Sequence, residues 1–199
     1  FTKNVKADGK RNIPSLIDDI SKFTRISLAE KAEEVEKNQK QVASITTKNL
    51  EAYRFYDIGE KALFKKKWGE ARENFEKAVE IDSNFALASY QLAYIHQWFF
   101  NPEKADYYIE RSVENIETVP DKERLYIRAQ SIQDFSSRIP VYKEIINKYP
   151  NEKQAYFEIG DMYFHNGPAT ESIPYFEKSL ELDPSYENAI EHLGWIYLD

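Results

Sequence analysis

The stretch NFEKAVEIDSNF at residues 74–85 returns in altered form as YFEKSLELDPSY at residues 175–186. The similarity extends without a gap over the whole of residues 52–85 and 153–186. Both copies keep an apolar residue at each third or fourth position, which is the spacing of an amphipathic helix. The two segments therefore read as copies of one helical unit.

Other parts of the chain match one another at an offset of 34 residues. At this offset Gly59 aligns with Ala93, and Gly160 aligns with Gly194. A fixed period of this length is typical of supersecondary units that stack in series, because each unit alone cannot bury its apolar face. The sequence thus predicts a repeat protein in which each repeat holds two helices.

The order of small and bulky residues within the period resembles that of the tetratricopeptide repeat (TPR) family. That family has small residues at repeat positions 8, 20 and 27 and a bulky one at position 24. Small residues let two helices approach closely, and the bulky side chain fills the space beside them. The corresponding residues are Gly59, Ala71, Ala78 and Phe75 in the first repeat, Ala93, Ala105, Ser112 and Ile109 in the second, and Gly160, Ser172, Ser179 and Phe176 in the fourth.

The resemblance implies an all-α fold, a right-handed α-solenoid of TPR helix hairpins. A short strand-like segment and one or two extra helices are expected before it. We predict an N-terminal segment at residues 1–46 and the solenoid at residues 47–199. The repeats are predicted at residues 52–85, 86–119, 120–152 and 153–186, with a half repeat at 187–199.

The third repeat departs from the regular length. Its helices are predicted at residues 121–131 and 138–148, with Ala129 at the small position and Pro150 at the exit. These two residues are 21 positions apart, whereas the regular repeat needs 24. Either the turn between the two helices is shortened, or the pair is set at an unusual angle.

The segment before the repeats is open to two interpretations. Residues 1–12 alternate like a strand, residues 13–24 carry a helical apolar stripe, and a charged helix follows to about residue 42. Thr46 and Thr47 are candidate caps for the first repeat. The arrangement resembles bacterial proteins in which an α/β domain, often TolB-like, precedes TPRs; alternatively the segment caps the solenoid. Both chain ends look cut, so we expect a fragment of a longer protein.

Composition narrows the class of partner. The net charge is −7 and no basic face is visible, so nucleic acid is not an expected partner. There is no cysteine, which removes disulfides and thiolate metal sites. No stretch reaches the roughly 18 apolar residues of a membrane span, so direct membrane insertion is not expected. We expect a soluble protein and leave the compartment, cytoplasm or periplasm, open.

Catalytic motifs are missing from the sequence. The three histidines, His96, His165 and His192, form no His-Glu-x-x-His pair and lack the usual zinc spacing. There is no glycine-rich phosphate loop. We therefore predict no enzyme activity, no cofactor and no metal site. His165 is a possible partner contact, and the other two histidines are assigned to packing or solvent.

Binding is the predicted activity. The family resemblance places positions 2, 5, 9, 12 and 13 of the first helix of each repeat on a concave face, where they form an aromatic, mildly acidic groove. A protein or peptide partner with apolar anchors, extended or helical, fits such a groove. About half of its rings are expected to be buried between hairpins. The predicted groove residues are Tyr53, Tyr56, Glu60, Phe64, Tyr90, Tyr94, Gln97, Trp98, Phe157, Asp161, Phe164 and His165.

The last helix, residues 187–198, has no second helix in this chain to cover its apolar residues. Leu193, Trp195, Ile196 and Tyr197 are predicted to form a self-association end, which would give a homodimer. The alternative to a partner-binding scaffold is an intramolecular regulatory or dimerisation module of a larger bacterial signalling protein, which the cut N-terminus and the unpaired strand-like segment suggest.

Overall fold

The computed structural model describes residues 19–24, 47–98 and 101–198, and all regular elements within these ranges are helical. Residues 19–24 are helical, as predicted, although Ile20 of the expected apolar stripe is 46% exposed. The predicted strand-like segment and charged helix lie outside the described residues. The chain forms two compact units, unit 1 to Pro120 and unit 2 from Asp121.

Unit 1 contains two helix hairpins that correspond to the first two predicted repeats. Each helix packs against the next one along the chain. A short 3₁₀ turn at Ile116–Thr118 follows the second hairpin. The helices are α1 (Leu50–Phe64), α2 (Trp68–Ile81), α3 (Ala86–Trp98) and α4 (Pro102–Glu114).

Unit 2 contains two further hairpins and a single last helix. Neighbouring helices again pack in series. Short 3₁₀ turns at Phe135–Arg138 and Ala169–Ser172 lead into the second helix of each hairpin. The helices are α5 (Asp121–Gln130), α6 (Ile139–Lys148), α7 (Lys153–Asn166), α8 (Ile173–Leu182) and α9 (Glu187–Leu198).

The irregular third repeat differs from the regular ones in the length of its first helix rather than in a shortened turn. Helix α5 has 10 residues, whereas the first helices of the first and fourth repeats, α1 and α7, have 15 and 14. The connection between α5 and α6 is held by the buried Arg138, whose Nε donates to the Ile132 carbonyl at 2.7 Å. Of the two alternatives, the shortened turn is therefore wrong, because the missing residues are lost from α5. An unusual angle between the two helices stays a prediction.

Serines at two of the small positions of the repeat also form hydrogen bonds between helices. Ser112 on α4 donates a hydrogen bond from Oγ to the carbonyl of Ala86 at 2.9 Å. Ser179 on α8 donates in the same way to the carbonyl of Lys153 at 3.1 Å. Both serines are fully buried, so each satisfies its hydroxyl while tying the second helix of a hairpin to the start of the first.

The start of α1 is capped by a residue other than those predicted. The Asn49 side chain accepts hydrogen bonds from the backbone N–H groups of Glu51 and Ala52 at 3.0 and 3.3 Å. Thr47 instead donates its hydroxyl hydrogen bond to Asp82. Asn49 therefore has the role that the sequence assigned to Thr46 or Thr47, since an asparagine is at least as good a cap as a threonine.

No helix among the described residues combines the length and the apolar character that crossing a bilayer requires.

Candidate functional site

Eight predicted groove residues lie on the two first helices of the unit 1 hairpins, and we call this set the aromatic face. The two helices meet at Glu60, whose carboxylate accepts a hydrogen bond from Gln91 of α3. The aromatic face consists of Tyr53, Tyr56, Glu60 and Phe64 on α1 and of Tyr90, Tyr94, Gln97 and Trp98 on α3.

The end of α3 carries a cluster of three rings. Trp98 stacks on Trp68 with ring centroids 6.1 Å apart and an interplanar angle of 25°. Tyr94 meets Trp98 edge-on at 6.1 Å and also lies 6.5 Å from Trp68. Trp68 is the first residue of α2 and was missed by the sequence analysis, because a position on the second helix of a repeat is assigned to the outer side. The stacking holds Trp98 in place while 48% of it stays exposed.

The rings on α1 differ in how far they reach solvent. Phe64 is 89% exposed at the end of the helix, and Tyr53 is also exposed. Tyr56 is packed against Phe75 and Phe85, with ring centroids 5.6 and 5.0 Å away. The ring of Tyr56 therefore belongs mainly to the core, whereas Tyr53 and Phe64 present apolar area to solvent.

Glu60 lies between these rings and is largely buried. Burial raises the pKa of its carboxyl group to about 7, and the nearby charge of Asp57 adds to this, while hydrogen bonds with Gln91 and Tyr56 act against it. Among the described residues its Oε1 atom is buried without a hydrogen-bond partner. The carboxyl group at the base of this exposed aromatic surface therefore keeps its proton to a higher pH than an ordinary glutamic acid.

An open cleft lies beside the first turns of α1, next to the aromatic face. It is bordered by Tyr53, Arg54 and Asp57 from α1 and by Asp82 from the end of α2. Its lining mixes one ring with charges of both signs. This composition suits contact with a polar peptide backbone better than enclosure of an apolar small molecule.

In unit 2 the predicted groove residues do not form an equivalent exposed surface. Phe157 is only 3% exposed and packs against Phe176 and Tyr186, so its prediction as a partner contact is wrong. Phe164 is half-buried against the same core. The remaining two, Asp161 and His165, are part of a polar cluster.

This polar cluster, the Asp161 cluster, consists of Asp161 and His165 on α7 and His192 on α9. The Nε2 atoms of His165 and His192 lie 3.4 and 3.2 Å from Oδ1 of Asp161. Nδ1 of His192 is 2.8 Å from the carbonyl of Asn188, one turn earlier on α9. Burial opposes ionisation of His192, but the Asp161 carboxylate outweighs it and raises the pKa of the ring.

The sequence analysis separated the members of this cluster. Asp161 and His165 were assigned to the groove, and His192 was assigned to packing or solvent. His192 does pack, with the rings of Phe157 and Phe164 5.3 and 5.0 Å away. Its proximity to Asp161 depends on how α9 lies against α7. Only the four-residue spacing of Asp161 and His165 on one helix could have indicated a cluster.

Glu158, one turn before Asp161 on α7, is a second buried acid. Burial and the charge of Asp161 raise the pKa of its carboxyl group to about 7, against hydrogen bonds with Gln154 and Tyr142 and the charge of Arg138. Like Glu60, it sits on the first helix of a repeat. Among the described residues, each unit therefore has a carboxyl group whose pKa is raised to about 7.

The predicted self-association end is exposed only in part. Leu193 is buried in the core with Phe176 and Ala189, so its prediction as an exposed contact is wrong. Ile196 packs partly against the same cluster. Trp195 is about half exposed and Tyr197 is 65% exposed, and Leu198 next to it is largely in solvent. The exposed apolar area of α9 thus comes from its last turn.

His96, the histidine outside the Asp161 cluster, is a packing residue. Its ring is buried and stacks on Tyr108, with centroids 5.6 Å apart and an interplanar angle of 3°. Burial lowers the pKa of this ring, and the charges of Lys104 and Arg72 act in the same direction. This agrees with the assignment of His96 to packing or solvent.

Comparison with known families identifies one repeat directly. Residues 153–186 match the family model of the tetratricopeptide repeat, and these residues span α7 and α8. The sequence prediction of a TPR at these residues is confirmed. The match does not extend to the segment before the repeats, so the TolB-like domain suggested there stays a prediction. No curated protein sequence matches the chain.

Several solved structures are similar in fold. PilW, described as a widely conserved type IV pilus biogenesis factor, has a TM-score of 0.50 and 16% identity, over 71% of this chain and 66% of PilW. YrrB, described as a TPR protein with an unusual peptide-binding site, has a TM-score of 0.43 and 18% identity, over 91% and 87% of the two chains. MamA from Desulfovibrio magneticus RS-1 has a TM-score of 0.44 and 16% identity, over 90% and 99%. The similarity to PilW supports the helical-repeat fold.

Proposed function

We propose that this chain is a protein-interaction module that binds a peptide or a helix of a partner on the aromatic face of unit 1. The observation that carries the proposal is Trp98, which is held by stacking on Trp68 and yet leaves about half of its surface in solvent. The tetratricopeptide repeat at residues 153–186 supports a role in binding, since such repeats stack into extended binding surfaces.

A ring that is both exposed and fixed is well suited to binding. An apolar side chain of a partner that covers Trp98 removes apolar area from water, which contributes about 25 cal/mol for each Å². Because Trp68 and Tyr94 already restrict the ring, little rotamer freedom is lost on binding. Tyr53 and Phe64 offer further exposed ring area on the neighbouring helix.

The chemistry of the partner follows from the residues between these rings. Apolar or aromatic anchors fit against Trp98 and Phe64. A lysine or arginine fits near Glu60, because a positive charge there would stabilise the ionised form of a carboxyl group whose pKa is about 7. We therefore propose a partner segment in which apolar anchors alternate with at least one basic residue.

Selection from a random peptide display library, with the full chain as bait, tests this proposal. Peptides rich in apolar and basic residues should be recovered, and Trp98→Ala should weaken their binding by about 2 kcal/mol, roughly 30-fold, if Trp98 is a central contact. Tyr107→Ala is the matched control, because Tyr107 is an exposed ring on the second helix of the same hairpin.

The control variant should bind as the wild-type chain does. Equal weakening by both substitutions would point to a general loss of fold, and unchanged binding in Trp98→Ala would place the peptide elsewhere. Recovery of no peptide above the background of an unrelated bait protein would argue against peptide binding as the function.

A second candidate function rests on the last turn of α9. Tyr197 and Leu198 are mainly exposed and Trp195 about half, so this turn offers an apolar patch to a second copy of the chain. We infer from this patch that the chain self-associates through α9, as a dimerisation module of a larger bacterial signalling protein would. The two functions are compatible, since the patch and the aromatic face lie on different helices.

A further inference from the structure

The Asp161 cluster has the composition of a metal site that neither the sequence motifs nor the proposed function assigns. One carboxylate and two imidazoles converge, and their donor atoms all lie within 4.8 Å of one another. Two histidines with one carboxylate, leaving a further position open, are a recurrent donor set for zinc and other late first-row metals. We propose that Asp161, His165 and His192 bind one zinc ion.

The distances within the cluster are close to those that zinc requires. Zinc bonds to nitrogen and oxygen are about 2.0–2.2 Å long, so donor atoms at the corners of a tetrahedron are about 3.4 Å apart. Oδ1 of Asp161 lies 3.4 Å from Nε2 of His165 and 3.2 Å from Nε2 of His192. Two of the three distances between donor atoms are thus already close to those of a zinc site. Only the distance between the Nε2 atoms of the two histidines has to shorten.

The side chain that has to move is free to do so. His165 is 56% exposed, and it lies one helical turn from Asp161 on the same helix. A change of its rotamer moves Nε2 without disturbing the core. Asp161 and His192 are held in place by the core around them, with side chains only 17% and 6% exposed. Two fixed donors and one adjustable donor at the surface leave a route for the ion from solvent.

The orientation of His192 matches that of a metal ligand. Nδ1 lies 2.8 Å from the carbonyl of Asn188 and donates to it, which leaves Nε2 facing Asp161. Zinc would displace the proton that Nε2 shares with the Asp161 carboxylate. Histidines that bind metals through one nitrogen usually donate from the other to a carbonyl or a carboxylate, which orients the ring and increases its basicity.

A second argument for the metal site is that one carboxylate oxygen of Asp161 lacks a well-aligned hydrogen-bond donor. Its Oδ1 atom is buried and, within the described part of the chain, accepts no hydrogen bond of good geometry, although both imidazoles are near. A buried carboxylate oxygen without a donor is costly. A cation between Oδ1 and the two Nε2 atoms would satisfy all three lone pairs at once.

The surroundings of the cluster are apolar on the protein side. The rings of Phe164 and Trp195 lie 5.0 Å from the ring of His192, and Phe176 lies 5.2 Å away. These rings keep the imidazole in one position and exclude water from one side of the site, which strengthens the electrostatic attraction of a cation. His165 lies on the exposed side of the cluster, where a water molecule would complete the coordination of the ion.

Calorimetric titration of the full chain with zinc chloride tests the proposal. The wild-type chain should take up one zinc ion per chain, and His165→Ala should weaken this binding at least about tenfold. His165 is the preferred position for substitution because its exposure makes loss of the fold an improbable result. Asp161→Asn, which keeps the size of the side chain, should have the same effect.

The matched control is Asp57→Asn on α1. Asp57 forms an i,i+4 pair with Lys61 at 2.5 Å, so the control removes a carboxylate in the same helical setting but with no histidine nearby. It should bind zinc as the wild-type chain does. Magnesium chloride, an ion that prefers oxygen donors, should produce no heat of binding at this site.

A two-dimensional ¹H–¹⁵N spectrum of the histidine rings provides a second test of zinc binding at this site. On addition of zinc the ring nitrogen signals of His165 and His192 should shift together, while those of the buried His96 stay unchanged. The proposal is overturned if the wild-type chain shows no saturable binding, if His165→Ala binds as tightly as wild type, or if the signals of His165 and His192 do not respond.

Discussion

A Cβ atom on Gly160 of α7 would lie 2.6 Å from Cε1 of Phe176 on α8, well inside contact distance. The same relation holds in unit 1, where a Cβ on Gly59 would lie 2.6 Å from Cε1 of Phe75. Both phenylalanines are completely buried. In each hairpin the glycine therefore allows the ring to lie directly against the backbone of the first helix, and the pair sets how closely the two helices approach.

Gly160→Ala should therefore destabilise the chain. The added methyl group must displace a fully buried ring, and overpacking of this kind costs about 1–3 kcal/mol. That cost is offset by the gain of about 1 kcal/mol from replacing glycine inside a helix. We expect a net loss of about 1 kcal/mol in the free energy of unfolding, measured by urea denaturation.

Gly194→Ala is the matched control for this prediction. Gly194 lies within α9, and a Cβ there would meet nothing within 4 Å. Its substitution should leave stability unchanged or raise it by up to about 1 kcal/mol through helix propensity. If both variants were equally stabilised, the close contact of Gly160 with Phe176 would not be a determinant of the hairpin.

The free energy of unfolding should fall as the pH rises from about 4.5 to 7. Glu60 has its pKa raised from 4.5 to about 7, so the folded chain holds a proton in this window that the unfolded chain has released. The fall from this one group is at most about 3 kcal/mol. Glu158 has a similar pKa and contributes a fall of the same sign.

Urea denaturation at pH 5 and pH 8 checks this pH dependence. Glu60→Gln cannot ionise, so its stability should fall less over this range than that of the wild-type chain, and at pH 8 it should be the more stable of the two. Glu110→Gln, at an exposed position on α4, is the control and should behave as wild type. Parallel pH profiles for wild type and Glu60→Gln would contradict the burial of this carboxyl group.

Self-association through α9 predicts a concentration-dependent dimer. Tyr197→Asp places a charge within the exposed apolar patch at the end of α9 and should shift the chain to monomer, because an unpaired charge cannot be buried at an interface without a large cost. Sedimentation velocity over a range of concentrations measures the effect. Tyr107→Asp changes another exposed tyrosine, on α4, and should leave the dimer intact. A wild-type chain that is monomeric at all concentrations would rule out the second candidate function.

For the described residues from 50 onward, the sequence was sufficient for the order of the helices, since the 34-residue period and the small positions follow from helix packing. The bounds of α9 agree with prediction, and the helices of the third repeat agree within one residue. The role of the serines was missed in part. The repeat pattern identifies Ser112 and Ser179 only as small residues. Each also donates a hydrogen bond to a carbonyl of the neighbouring helix.

The site was harder to predict than the fold, because it depends on contacts between elements. Position in the repeat could not separate the buried Phe157 from the exposed Phe64, although both were assigned to one groove. It also could not indicate that His192 would reach Asp161 across 31 residues of sequence. A family pattern states which face a residue lies on, and the neighbouring helix decides whether that face is covered.

The central claim is that a partner segment binds at the aromatic face of unit 1. The chain has three tryptophans, at positions 68, 98 and 195, and each gives one indole N–H signal in a ¹H–¹⁵N spectrum. When a selected peptide is added to the full chain, we expect the signals of Trp98 and Trp68 to shift and that of Trp195 to stay in place. A bound peptide that leaves both Trp68 and Trp98 unshifted would contradict the claim.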